Sequence, residues 1–126
     1  MKIASRHLTT SFLVLVCAVV WAQSQGLRGD PEKAKQGWEL IEQGALVIDV
    51  RTTEEYEAGH LEGALHIPWE QTDELMAAIG EDKQRKVVMY CGSGGRVGRA
   101  IEALEAEGYE GLFNATGYDA LEATKP

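Results

Sequence analysis

The chain has 126 residues, 44% apolar and 25% charged, which fits one globular domain and leaves little room for a second. A formal charge of −8 argues against nucleic acid or an anionic membrane as the main partner. Its two cysteines, Cys17 and Cys91, lie in segments of very different character.

Lys2, Arg6 and His7 precede an apolar run from Phe12 to Ala22. That run is too short for a membrane-spanning helix of roughly 20 residues but matches a signal-peptide core. Val20 and Ala22 place small side chains before a cut, so residues 1–22 read as a signal peptide; a retained anchor is the alternative. Periplasmic export is the expected destination, with secretion beyond it open. Loss of Lys2 and Arg6 takes the charge from −8 to −10, and Cys91 is left as the sole cysteine, without a disulfide partner. Residues 23–29 read as a short flexible start, and 30–126 as the globular domain.

In "DPEKAKQGWELIEQG", Asp30 suits an N-cap, Pro31 the first helical position and Gly44 the stop, with Ala34, Trp38 and Ile41 on one face. "ALVIDV" reads as a buried strand. "TTEEYEAG" follows as a short helix, with Thr52 and Glu55 at capping-box spacing. "ALHIP" predicts a brief strand, residues 70–79 a helix ended by Gly80, and "KVVMY" (86–90) the clearest strand. From Arg96, Val97, Ile101 and Leu104 predict a helix up to Gly108. "GLFN" is a last strand and "GYDALEAT" a last helical turn. Strands alternating with helices predict an α/β fold with a mostly parallel central sheet and helices on both faces.

Cys91 therefore falls at the carboxyl end of a buried strand and before a helix, the edge at which α/β sheets bind ligands. In "YCGSGGRVGRA", Gly92, Gly94 and Gly95 allow a tight curl whose backbone N–H groups converge on an anion, and the helix adds its positive end. Those features favour a thiolate over a thiol. A buried cysteine at a strand end is the plain alternative.

At this point the chain resembles the rhodanese-like sulfurtransferases in their short, single-domain exported form. "DVRTTEEYEAGHLEGALHIP" is similar to the family's first signature at Asp49, Arg51, Glu54, Tyr56, Gly59, His60, Gly63, Ala64, Ile67 and Pro68. "CGSGGR" is similar to its active-site loop at Cys91, Gly94 and Arg96, and "NATGYDAL" to its closing segment. The resemblance implies a thiosulfate:cyanide sulfurtransferase. Cys91 would take the outer sulfur of a small anionic donor as a persulfide and pass it to cyanide or a thiol, a thiol-bearing protein included. It implies no metal and no organic cofactor. The acidic charge argues against nucleic acid, cleavage leaves no stable membrane association, and nothing in the chain requires an oligomer, so a monomer is expected.

The catalytic residue on this reading is Cys91, within an active-site loop of Gly92, Ser93, Gly94, Gly95 and Arg96. Arg96 either binds the donor or braces the loop through a carboxylate such as Asp49 or Glu54; bracing is favoured because a loop must keep its donors aimed. Ser93 either donates to the persulfide or fills the loop. Asp49 and Arg51 are expected just behind the loop, holding it. Arg99 reads as a solvent-facing charge, Trp38 as core, Trp69 as a rim residue, and His60 and His66 as structural rather than as a base. One departure concerns the donor. Relatives that use thiosulfate often carry a cation directly after the cysteine, where this chain has Gly92, and "CGSG" opens like the loop of mercaptopyruvate sulfurtransferases. Two rivals remain: a phosphatase or arsenate reductase, whose loop has five residues between cysteine and arginine against four here, and a sulfur-carrying or docking module without general turnover.

Overall fold

The computed structural model describes residues 26–126, and the signal-peptide reading of residues 1–22 lies outside them. Four strands, β1 (Leu46–Asp49), β2 (Leu65–His66), β3 (Val87–Cys91) and β4 (Leu112–Gly117), form one sheet in the order β2-β1-β3-β4. Every pairing is parallel. Five helices complete the described residues: α1 (Pro31–Glu42), α2 (Thr53–Ala58), α3 (Thr72–Ile79), α4 (Gly95–Ala106) and α5 (Tyr118–Ala123).

β3 lies inside the sheet, and all five of its residues are buried. Its alternation divides them between two cores. Val87, Met89 and Cys91 pack with Leu75 and Ile79 of α3 and with Val97 and Leu104 of α4. Val88 and Tyr90 pack on the other face with Ala34 of α1 and Leu121 of α5. Both faces are therefore covered, as a parallel sheet requires. Each fully buried valine or leucine contributes about 1.5–3 kcal/mol. The chain leaves β1 toward β2 and leaves β3 toward β4, so strand order reverses between β1 and β3. A crevice opens there, outside the carboxyl ends of the strands.

The helix signals act where the sequence places them. Asp30 accepts hydrogen bonds from the Glu32 and Lys33 N–H groups, Pro31 opens α1, and Thr52 and Glu55 form a full capping box on α2. Gly37 lets α1 lie close on β4, since a Cβ there would sit 2.9 Å from the Ala115 Cβ.

Boundaries differ in several places. The third helix starts at Thr72, not residue 70, because the Gln71 N–H donates to Pro68 O and turns the chain first. β3 runs one residue later than "KVVMY": a register shift after Met89 pairs Cys91 with Gly117 and makes the cysteine the last strand residue. β4 extends through Gly117 for the same reason. Finally, Arg28 and Gly29, taken as part of the flexible start, are held to the domain. The Arg28 carbonyl accepts the Ala120 N–H at 3.1 Å, and Gly29 lies against Gly117. Among the described residues no helix is long and apolar enough to cross a membrane.

Candidate active site

Cys91 ends β3 with 1% of its surface exposed. The chain then turns through Gly92–Gly94 and enters α4 at Gly95. Gly94 is required for that turn: its φ is 107°, in the left-handed region, and a Cβ would lie 3.4 Å from Asn114 Oδ1 and from the Thr116 backbone. The curl aims the Gly94 N–H back at the cysteine, where it donates to Sγ at 3.0 Å. The first helical bond runs from the Gly98 N–H to Gly94 O, so the N–H groups of Gly95, Arg96 and Val97 have no carbonyl within the helix to pair with. Donors and the positive helix end thus gather beside a buried sulfur.

Arg96 pairs with a carboxylate, but with neither Asp49 nor Glu54. Its two terminal nitrogens donate to the two carboxylate oxygens of Glu55 at 2.6 and 3.0 Å. Glu55 is also the capping-box residue of α2, its N–H donating to Thr52 Oγ1 at 3.2 Å. One carboxylate therefore joins the start of α2 to the start of α4. Arg96 holds the Glu55 carboxyl down at about 2 despite partial burial, and Thr52 helps. Glu55 in turn raises the Arg96 guanidinium, burial opposes this, and the neighbouring Cys91 side chain adds to the rise.

The pair has a pH signature. Because the carboxyl titrates near 4.5 in an unfolded chain and at about 2 here, its stabilisation is complete above pH 4.5 and lost as pH falls through about 2. Thermal melts of the protein and of Glu55→Gln should therefore differ by a constant amount above about pH 5, draw together below it and converge only below about pH 2. A gap that persists unchanged at the lowest pH would show that Glu55 acts without its charge.

Asp49 and Arg51 sit behind the loop rather than on it. Arg51 Nε and Nη2 grip Asp49 at 2.7–3.1 Å, and Nη2 also donates to Gly59 O at 2.6 Å. The guanidinium lies 4.6 Å from the Tyr118 ring centre and 5.5 Å from that of Tyr90. Burial works against its charge, but Asp49 outweighs this and raises it. Among the described hydrogen bonds neither residue reaches 92–96; Arg51 ties Asp49 to the Gly59 carbonyl at the end of α2. Tyr90, whose burial pushes its phenol up, accepts the Leu61 N–H at 3.0 Å and holds the following turn.

His60 is exposed and stacked on Tyr56 at 3.7 Å, and its Nδ1 lies 2.8 Å from Tyr56 O. His66 Nε2 lies 2.8 Å from Arg51 O. Both rings are engaged with α2 and the end of β1. Ser93 is exposed, with no hydroxyl partner among the described residues. Arg99 is exposed over the half-buried Trp69 ring, 5.5 Å from its centre, and Trp38 Nε1 donates to Leu121 O at 2.9 Å.

Sequence reasoning missed the far wall of the loop. Asn114 Nδ2 donates to Gly94 O at 3.0 Å, and its Oδ1 accepts the Thr116 N–H at 2.9 Å. Thr116 takes a left-handed φ of 68°, and its Oγ1 accepts the Asp30 N–H at 2.7 Å. "NATG" is a turn-rich string that gives a hint of such a wall, without saying what it holds. Gly117 completes it. A Cβ there would run into the Gly92 carbonyl and lie 2.5 Å from Arg28 O, both backbone atoms. Gly117→Ala should cost about 2–3 kcal/mol in urea unfolding, the upper range for overpacking; a loss under about 0.5 kcal/mol would mean that the loop yields easily.

Residues 33–123 match the rhodanese-like domain. The chain is 40% identical over 70 residues to the thiosulfate sulfurtransferase PspE of Escherichia coli, covering 56% of this chain and 67% of that one. It is 38% identical over 77 residues to a tRNA uridine(34) hydroxylase of Erwinia tasmaniensis, but this spans only 22% of the hydroxylase. Among solved structures, an E. coli rhodanese with anions is 36% identical with a TM-score of 0.55, over 60% of this chain and 91% of that one. The human single-domain sulfurtransferase TSTD1 is 26% identical with a TM-score of 0.59, over 79% and 96%. The family match runs from the first helix to the last and takes in both sheet edges and the cysteine loop, so the chain belongs to the rhodanese-like sulfurtransferase family.

Proposed function

We propose that the protein is a thiosulfate:cyanide sulfurtransferase that carries sulfur as a Cys91 persulfide. The observation that carries the reading is the Gly94 N–H on Cys91 Sγ, at the mouth of a glycine loop braced from both sides. The Cys91 thiolate attacks the outer sulfur of thiosulfate. The Cys91 S–S bond forms, the donor's S–S bond breaks, and sulfite leaves with the electron pair of the broken bond. Cyanide then attacks the outer persulfide sulfur, thiocyanate leaves, and the thiolate is restored. The sulfur is anionic before and after loading, so fixed N–H donors stabilise both states without proton transfer. The cycle needs neither a metal nor an organic cofactor. Likeness to PspE and to an E. coli rhodanese with anions supports an anionic donor. Four residues between Cys91 and Arg96 make a ring sized for one sulfur rather than for a phosphate.

The N-terminal apolar run supports export, with the working site in the periplasm. Intact mass tests the chemistry and the cleavage together. The purified protein should gain one sulfur atom on Cys91 from thiosulfate and lose it to cyanide, with thiocyanate formed, and its mass should begin at Gln23. Loading from mercaptopyruvate alone would change the donor. Failure with both donors would overturn general turnover and leave a carrier that serves one protein partner.

A further inference from the structure

Three arginines near the site are already engaged. Arg51 is buried on Asp49, Arg96 spends both terminal nitrogens on Glu55, and Arg99 lies over Trp69. Arg28 is the exception. It reaches the loop from the segment ahead of α1, and its backbone is held on three sides. Its carbonyl accepts the Ala120 N–H at 3.1 Å, Gly29 presses against Gly117, and the Asp30 N–H donates to Thr116 Oγ1 at 2.7 Å. Held this way, the guanidinium lies over the bare Cα of Gly92. From the point a Cβ would occupy there, Nη2 is 2.8 Å away, Cζ 3.0 Å and Nη1 3.2 Å. A side chain at residue 92 would displace it. Arg28 is exposed, and among the described residues it has neither a hydrogen-bond nor an ion-pair partner. An acidic chain thus places a positive charge, unpaired among the described residues, beside the residue that follows Cys91.

We propose that Arg28 receives the anionic end of the sulfur donor, a small oxyanion carrying sulfane sulfur, and that Gly92 is bare to make room for it. This rests on the sulfurtransferase reading above. In that arrangement the loop supplies neutral N–H donors to the sulfur, and a separate chain segment supplies the charge that selects the donor. A guanidinium offers paired donors to such an oxyanion, and one charge-assisted contact of this kind is worth a tenfold change or more in affinity.

The test is the steady-state rate with thiosulfate for Arg28→Gln, Arg28→Lys and Lys86→Gln. Lys86 is exposed at the far end of β3, so its loss removes the same charge away from the loop. Arg28→Gln should raise KM for thiosulfate about tenfold with kcat within about twofold, Arg28→Lys should recover part of the loss, and Lys86→Gln should match the unmodified protein. An unchanged KM in Arg28→Gln overturns the proposal, as does a fall in kcat at constant KM, which would mean that Arg28 only shapes the loop. A second reading needs no turnover: the rates of Cys91 alkylation by iodoacetate and by iodoacetamide. Their ratio should fall severalfold in Arg28→Gln because only the anionic reagent feels the lost charge. A constant ratio overturns the proposal. If the unmodified protein loads no sulfur from any donor, the sulfurtransferase reading falls, and this ratio still decides whether Arg28 draws anions to the thiol.

Discussion

Cys91→Ser should abolish sulfur transfer, lowering kcat/KM with thiosulfate by at least about 10⁴-fold, because a serine hydroxyl neither ionises near neutrality nor holds sulfur as a persulfide. The fold should survive. Oxygen is slightly smaller than sulfur, and the Gly94 N–H that donates to Sγ finds an acceptor in its place. The urea midpoint should then move by no more than about 1–2 kcal/mol of stability. Intact mass after thiosulfate should show no added sulfur. Sulfur transfer retained by a folded Cys91→Ser protein would sink both the enzyme and the carrier readings, since each requires the persulfide.

Arg96→Ala should lower kcat about 100-fold, the scale on which a displacement near 1 Å of a reacting group is felt. Glu55 and Asn114 grip the loop from opposite sides, and removal of one grip lets Gly94 and the helix N-terminus drift from the sulfur. Arg96→Lys keeps the charge but makes only one bond to Glu55, so it should fall between, about tenfold down. Glu55→Gln should resemble Arg96→Lys, and the double variant should be little worse than Arg96→Ala alone, as expected for two halves of one contact. The kinetic split decides the role. A loss in kcat marks a brace. A rise in KM alone would instead place Arg96 on the donor and return the bracing function to other residues.

The fold class was legible because its signals are local. Apolar runs of strand length, caps at Asp30 and Thr52 and stops at Gly44, Gly80 and Gly108 depend on neighbours a few residues away. The same holds for the reactive loop. Glycines after a cysteine at a strand end permit the curl, and of Gly92, Gly94 and Gly95 it is Gly94 that takes the left-handed φ, 107°.

Partners across the sheet were not legible in this way. That Arg96 is braced could be inferred from the loop's needs, yet Glu54 and Glu55 differ by one step along the chain. That step turns a side chain by about 100° around a helix, and only the anchoring of α2 by Thr52 and by Arg51 on Gly59 settles which carboxylate faces the loop. Arg96 and Glu55 are 41 positions apart, and Asn114 lies 20 from Gly94. The sequence by itself determined the elements, their order, the parallel sheet and the thiol at a strand end ahead of a glycine turn and a helix, since each is signalled by local pattern. Tertiary structure alone decided that Glu55 holds Arg96, that Asn114 holds Gly94, and that Arg28 lies over Gly92, because those meetings depend on how strands register and helices pack, which no local pattern encodes.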